Sequence, residues 1–121
     1  MDRLKSMFDQ QENFMNLLRE KRNFPNFPVD IYAKEGQKFC KLIAYEAMGE
    51  LFEAIQHLQN SKSHRETNVT TLEREKYCEE LGDCLHYLLE VIILSGISDD
   101  EIYEAFMKKG KVNVDRILNG Y

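Results

Sequence analysis

The chain of 121 residues has no tryptophan, two prolines and six glycines. Both prolines lie within residues 23–28, so no proline breaks a helix elsewhere. No apolar run approaches the roughly 18 residues that a membrane-spanning helix needs. The first residues also lack the hydrophobic segment of a signal peptide. We therefore expect a helical protein without a membrane span.

Cysteines are few, and basic residues are outnumbered by acidic residues. The three cysteines, Cys40, Cys78 and Cys84, are odd in number and show no C-x-x-C spacing. This pattern predicts free thiols in the reducing cytoplasm. Lys and Arg total 16 against 21 Asp and Glu, a net charge of −5. Because a general nucleic-acid binder shows a basic surface, we expect no nucleic acid polymer as partner.

The composition that remains is that of a small folded domain. Apolar residues make up 43% and charged residues 31% of the chain, which argues against disorder. A chain of this size can bury about two-thirds of its unfolded surface. We therefore predict a single domain over residues 1–121.

Apolar residues recur at helical spacing along most of the chain, and no strand pattern competes. We predict helices over about 3–22, 34–59 and 71–94, with a polar loop at about 60–71. Asp2 caps the first helix, Gly96 ends the third, and Ser98 to Glu101 opens a shorter fourth helix that continues past Gly110 to Leu118. The predicted fold is an all-α bundle of four to five helices. Its apolar run from Leu85 to Leu94 is expected in the core or between subunits.

Acidic residues form stripes on the two middle helices. Glu46, Glu50 and Glu53 share one face of the second helix, and Glu80 and Asp83 share one face of the third. Like charges at this spacing destabilise a helix by about 0.2–0.5 kcal/mol per pair. A divalent ion would relieve this repulsion, and carboxylates from two helices suit Mg²⁺ or Mn²⁺. A solvated acidic face is the alternative for either stripe.

The C-terminal segment carries the opposite charge. Lys109, Asn113 and Arg116 would share one face of the fourth helix. Two cations and an amide can hold phosphate oxygens. The same cations could instead complement the negative end of the helix dipole.

In this order and spacing, the motifs resemble the all-α nucleoside triphosphate pyrophosphatase superfamily, which includes MazG-like proteins and dimeric dUTPases. Glu50-x-x-Glu53 is similar to its first element, Glu80-x-x-Asp83 to its second, and Lys109-x3-Asn113-x2-Arg116 to its closing element. The final Asn119-Gly120-Tyr121 is similar to the dimeric dUTPase terminus. The resemblance covers about residues 38–121. It implies Mg²⁺-dependent hydrolysis of a (deoxy)nucleoside triphosphate to the monophosphate and pyrophosphate.

The resemblance also implies roles for particular residues. The metal would be held by Glu46, Glu50, Glu53, Glu80 and Asp83. Glu50 or Glu53 would orient or deprotonate the attacking water, and Lys109, Asn113 and Arg116 would hold the phosphates. Because so small a bundle carries the apolar run from Leu85 to Leu94, we also expect it to form a homodimer or homotetramer.

One position departs from the family pattern. Ala47 stands where the family commonly has a metal-binding acid, three residues before Glu50. A nucleotide-binding regulator that has lost turnover is therefore an alternative, and a helical adaptor without a nucleotide site is another. A di-iron site is a further alternative, because Asp83 and His86 have metal-ligand spacing. That site would need two E-x-x-H motifs and two further Glu residues, whereas the chain has one D-x-x-H and no second match.

No motif in the sequence identifies the residues that would bind the base. An aromatic or apolar wall is expected, and five aromatic residues are candidates by type: Phe14, Phe24, Phe27, Phe39 and Tyr87. The first 30 residues are the expected source of specificity, because the matched elements account only for metal and phosphates. His86 is predicted to be a core or wall residue.

Overall fold

The fold was described from a computed structural model, in which residues 2–66 and 68–120 are described. This part of the chain forms four α-helices and no strand. Their bounds are Arg3–Arg22 (α1), Lys34–Ile55 (α2), Arg74–Leu94 (α3) and Asp99–Leu118 (α4). The predicted all-α class is confirmed. Tyr121, part of the resemblance at the C-terminus, lies outside the described residues.

The helix ends follow local capping chemistry. The Asp2 side chain accepts a hydrogen bond from the backbone N–H of Lys5 at 3.1 Å, and Ser98 Oγ accepts one from Glu101 at 3.1 Å. These bonds satisfy N–H groups that have no partner within a helix. Gly96 follows α3 with a φ of 78°, a left-handed conformation that glycine adopts without strain. The predicted caps at Asp2, Gly96 and Ser98 are confirmed.

Two predicted boundaries and one predicted length are wrong. α2 ends at Ile55 instead of continuing to about residue 59, and α3 begins at Arg74 instead of near residue 71. The connection between them is therefore longer than the predicted ten residues. The chain leaves α2 through tight turns in which the N–H groups of Gln56 and His57 bond carbonyls three residues back. α4 has 20 residues, as many as α1, and is not the shorter helix that we predicted.

α2 and α3 form an antiparallel hairpin at the centre of the fold. Cys40 near the start of α2 lies 3.9 Å from Ser95, just after α3, as measured between Sγ and Oγ. At the other end, His57 lies against Glu80. α1 packs across this hairpin, and the core between them consists of Phe8, Met15, Cys40, Ile43, Leu89, Ile93 and Leu94.

The segment between α1 and α2 is tied to the far end of the hairpin. The backbone N–H of Val29 donates to the Leu94 carbonyl at 2.9 Å. At the start of α2, the chain passes so close to the Asp30 carbonyl that a Cβ atom on Gly36 would collide with it. These contacts place Phe24 beside Phe39, with ring centroids 5.5 Å apart in an edge-on arrangement.

α4 stands apart from the hairpin. It turns away from α3 at 109°, its helix contacts are mainly with α1, and none of its described residues is buried. Within residues 2–66 and 68–120, no single helix is long and apolar enough to cross a membrane. Among the described helices, only α3 and α4 taken together have that length and apolar character, and the 109° bend separates them.

Candidate functional site

A cavity of about 770 Å³ opens between α1, α2 and α3. Each helix lines it with residues three, four or seven positions apart, because those positions share a helix face. The lining residues are Gln10, Gln11, Phe14 and Leu18 of α1, Phe24 of the segment between α1 and α2, Ile43, Glu46 and Glu50 of α2, and Asp83, His86, Tyr87 and Glu90 of α3. The cavity therefore combines aromatic and aliphatic walls with a carboxylate rim.

Three of the predicted metal ligands, Glu46, Glu50 and Asp83, line this cavity. Partial burial raises the pKa of the Glu50 carboxyl, and the negative charges of Glu53 and Asp83 raise it further. The pKa of Tyr87 is also raised, first by burial and then by the charges of Glu46 and Glu50. The rim thus concentrates negative charge, and the described lining of the cavity contains no Lys or Arg to offset it.

The other two predicted ligands lie beyond the cavity lining. Glu53 is close enough to Glu50 for a side-chain hydrogen bond to contribute to the raised pKa of Glu50. Glu80 Oε2 lies 2.8 Å from His57 Nε2, but not in hydrogen-bond geometry. Among the described residues this buried oxygen has no hydrogen-bond partner, and a buried carboxylate oxygen without one is costly.

These carboxylates are spread along the hairpin and do not converge on a point. Within the described part of the chain, no three His, Cys, Asp or Glu side chains are close enough together to hold a metal ion. The donor set is nevertheless hard oxygen, as Mg²⁺ prefers, and it includes the unpartnered oxygen of Glu80. The residues present therefore fit Mg²⁺ in type and in charge.

Ala47, the position that departs from the family pattern, is buried and is not part of the cavity lining. Glu46, one residue earlier, does line the cavity. The helix therefore uses position 47 for packing and positions 46 and 50 for the acidic rim.

The predicted phosphate ligands are not part of this cavity. Lys109, Asn113 and Arg116 lie on α4, and Arg116 lines a separate shallow depression with Val112, Asp115 and Asn119. Within one chain, α4 packs mainly on α1 and not on the acidic hairpin. The predicted acidic and basic groups are thus brought to different parts of the fold.

Of the aromatic candidates, Phe14, Phe24 and Tyr87 line the cavity. Phe27 instead lies under the Arg19 guanidinium, whose carbon is 5.5 Å from the ring centroid, and Phe39 packs on Phe24. His86 is a wall residue, as predicted.

Gln10 of the cavity lining was missed from sequence, and so were two further polar residues, Gln11 and Glu90. Both are buried, and Gln11 Nε2 donates to Glu90 Oε1 at 3.4 Å. Gln11 Oε1 lies 2.8 Å from His86 Nδ1. Burial raises the pKa of Glu90 to about 7. The signal was present in the sequence, since Glu90 is the one acid in the apolar run from Leu85 to Leu94.

Comparison of the chain with protein-family models, with curated proteins and with solved structures gave no match.

Proposed function

We propose that this protein is an Mg²⁺-dependent pyrophosphohydrolase of (deoxy)nucleoside triphosphates, which releases the monophosphate and pyrophosphate. The observation that carries the proposal is the cavity itself. Its volume suits a nucleotide-sized ligand, since ligand pockets are commonly about 300–1,000 Å³. Its aromatic walls suit a nucleobase, and its acidic rim suits the metal that a triphosphate brings.

The chain's own residues would divide the work along the cavity. Glu46, Glu50, Asp83 and the adjoining Glu53 and Glu80 would hold Mg²⁺, with Mn²⁺ as a substitute. When bound, the metal offsets phosphate charge and activates water. Glu50 or Glu53 would orient that water and accept its proton. The aromatic side chains Phe14, Phe24 and Tyr87 would hold the base away from solvent.

The phosphate-binding residues would come from a second copy of the chain. One face of α4 carries exposed apolar residues at spacings of four, seven and three, with Gly110 at the intervening position, as in helices that pair: Tyr103, Met107, Val114 and Ile117, with Phe106 beside them. Ile117 is 78% exposed and Phe106 is 75% exposed. Lys109 and Arg116 flank this face, so their charge complements the acidic rim of a neighbouring copy. We infer a homodimer or homotetramer in which this face is covered.

The assembly predicts that light scattering on a sizing column will report a dimer or larger. The double variant Phe106→Ser, Ile117→Ser should be monomeric, because it removes the two most exposed apolar side chains among those flanking Lys109 and Arg116. Lys108→Ser, an exposed polar position on the same helix, is the matched control and should keep the wild-type mass. A monomeric wild-type protein at micromolar concentration would contradict the assembly.

The reaction itself is tested by product analysis. The protein is incubated with Mg²⁺ and each common ribo- and deoxyribonucleoside triphosphate, dUTP included, and the products are separated by chromatography. We expect monophosphate and pyrophosphate, and no turnover once a chelator removes the metal. Formation of the diphosphate and inorganic phosphate would show cleavage between the β- and γ-phosphates and would contradict the proposed reaction. Binding without turnover for every triphosphate would favour the regulator, and no binding would favour the adaptor.

A further inference from the structure

The inner wall of the cavity holds a polar chain of three side chains. His86 Nδ1 lies 2.8 Å from Gln11 Oε1, and Gln11 Nε2 donates to Glu90 Oε1 at 3.4 Å. Gln11 is 2% exposed and Glu90 is 4% exposed, and they are the buried polar residues of the described chain. His86 fixes the orientation of the Gln11 amide. The Nδ1–H of His86 donates to Gln11 Oε1, so the amide nitrogen of Gln11 points toward Glu90.

The Glu90 carboxyl is poorly satisfied in this setting. The single hydrogen bond that reaches it within the described chain is longer than the usual 2.7–3.2 Å range for such a bond. The other described lining side chains that carry donors, Gln10, His86 and Tyr87, make no hydrogen bond to it. Burying a carboxyl without donors is unfavourable, so the group is completed best by a ligand that brings N–H groups.

The three groups present a defined hydrogen-bonding pattern. The Gln11 amide nitrogen has two hydrogens and uses one of them on Glu90, so its second hydrogen is a donor. Beside it, the ionised Glu90 carboxylate supplies two acceptor oxygens, since a carboxylate has no donor, and this form predominates above the raised pKa of about 7. In order, the wall therefore offers a donor, an acceptor and an acceptor.

Nucleobases differ in how they complement this order. The Watson–Crick edge of guanine carries one carbonyl oxygen and two adjacent N–H groups, which match donor, acceptor and acceptor at all three points. Uracil and thymine carry one N–H between two carbonyl oxygens, so one carbonyl would face a carboxylate oxygen. In either orientation, the ring nitrogen N3 of cytosine, which only accepts, would face a carboxylate oxygen. Adenine has one amino group beside a ring nitrogen that only accepts.

We propose that Gln11 and Glu90 recognise the base of the substrate and that the base they select is guanine. This inference rests on the nucleoside triphosphate substrate of the proposed function. His86 is a positioning residue in this arrangement, because it touches Gln11 and holds the amide with its nitrogen toward the base. Phe14, Phe24 and Tyr87 would contact the faces of the ring.

The variant Glu90→Gln tests this selection by changing one acceptor into a donor at constant shape. The wall then offers a donor, an acceptor and a donor, which is the complement of uracil and thymine. We expect wild-type protein to bind dGMP more tightly than dUMP by about 10- to 100-fold, the range for one good paired contact. In Glu90→Gln this ratio should fall by a similar factor or invert. Glu12→Gln, an exposed acid on α1, is the matched control and should leave the ratio unchanged.

The measurement is titration calorimetry with dGMP, dAMP, dCMP and dUMP, alongside the turnover assay on the triphosphates. Monophosphates are not substrates of the proposed reaction, so their affinities report base selection with or without turnover. Equal affinity for the four, or a loss of affinity in Glu90→Gln that is the same for all four, overturns the selection of guanine. Selective dGMP binding with no hydrolysis of any triphosphate supports the base site and overturns the hydrolase. Hydrolysis of all triphosphates at similar rates, with equal affinity for the four monophosphates, supports the hydrolase and overturns the base site.

Discussion

Replacing Asp83 by Asn is expected to lower Mg²⁺-dependent hydrolysis by at least about 100-fold without lowering the melting temperature. Even groups that only support metal ligands cost about 10- to 100-fold when removed, and Asp83 would be a direct ligand. The charge of Asp83 also raises the pKa of Glu50, which shows that the two carboxylates repel each other in the free protein. Removing that charge should leave the fold as stable as before or more so. Turnover at saturating Mg²⁺ and thermal unfolding measure the two effects separately.

Glu50→Gln should behave in the same way, because Glu50 lies between the charges of Glu46, Glu53 and Asp83. Glu79→Gln is the matched control, an exposed acid on the same helix as Asp83 but outside the cavity lining. It should keep wild-type turnover. If Asp83→Asn and Glu50→Gln both retained turnover within a few-fold of the control, the carboxylate rim would not be the metal site.

The predictable part of the site is the part that helical periodicity determines. Glu46 and Glu50 are four residues apart on α2, so they share a face whatever the rest of the chain does. The same holds for the cavity-lining positions 83, 86, 87 and 90 of α3. What the sequence left open was the partner of each face, because packing between helices depends on contacts far apart along the chain. Gln11 meets Glu90 across 79 positions, and no local pattern indicates that pairing.

The fold was predictable from the sequence to about the same extent as the site. Helix ends with a chemical signal, such as Asp2, Gly96 and Ser98, were found from sequence, whereas the end of α2 was not. Residues 56–59 are compatible with helix by propensity, and the chain turns there beside a tertiary contact, that of His57 with Glu80. The placement of α4 was also beyond the sequence. Its amphipathic pattern predicts that one face is covered but does not say whether by the same chain or by another copy.

The buried carboxyl of Glu90 carries a stability cost, and this cost is the reason to expect that the residue binds a ligand. A buried carboxyl with one long hydrogen bond contributes less to folding than a neutral side chain of the same shape. Sites that bind ligands are often built from such groups, because the ligand supplies the missing partners. The proposed base would bring two N–H groups to the carboxylate. The base would therefore bind most tightly at Glu90, where the free protein leaves hydrogen-bonding capacity unused.

The same burial predicts an unusual dependence of stability on pH. Burial raises the pKa of Glu90 to about 7 in the folded protein, against an ordinary value of 4.5 in the unfolded chain. Between these values the folded state binds a proton that the unfolded state has lost, so the free energy of unfolding falls as the pH rises. The contribution of Glu90 is a loss of roughly 3 kcal/mol that begins near pH 4.5 and is complete above pH 7. Below pH 4.5 both states are protonated and the loss disappears.

Glu90→Gln should remove this loss, since an amide does not titrate and its carbonyl can still accept the hydrogen bond from Gln11. We expect the variant to melt higher than wild type at pH 8, on the order of 10 °C for a chain of this length, and to melt at nearly the same temperature at pH 4.5. Calorimetry at several pH values between these limits should show the gap widening as the pH rises. Glu12→Gln, whose carboxyl is exposed, should follow the wild-type curve throughout. Parallel curves for wild type and Glu90→Gln would mean that Glu90 keeps its ordinary pKa.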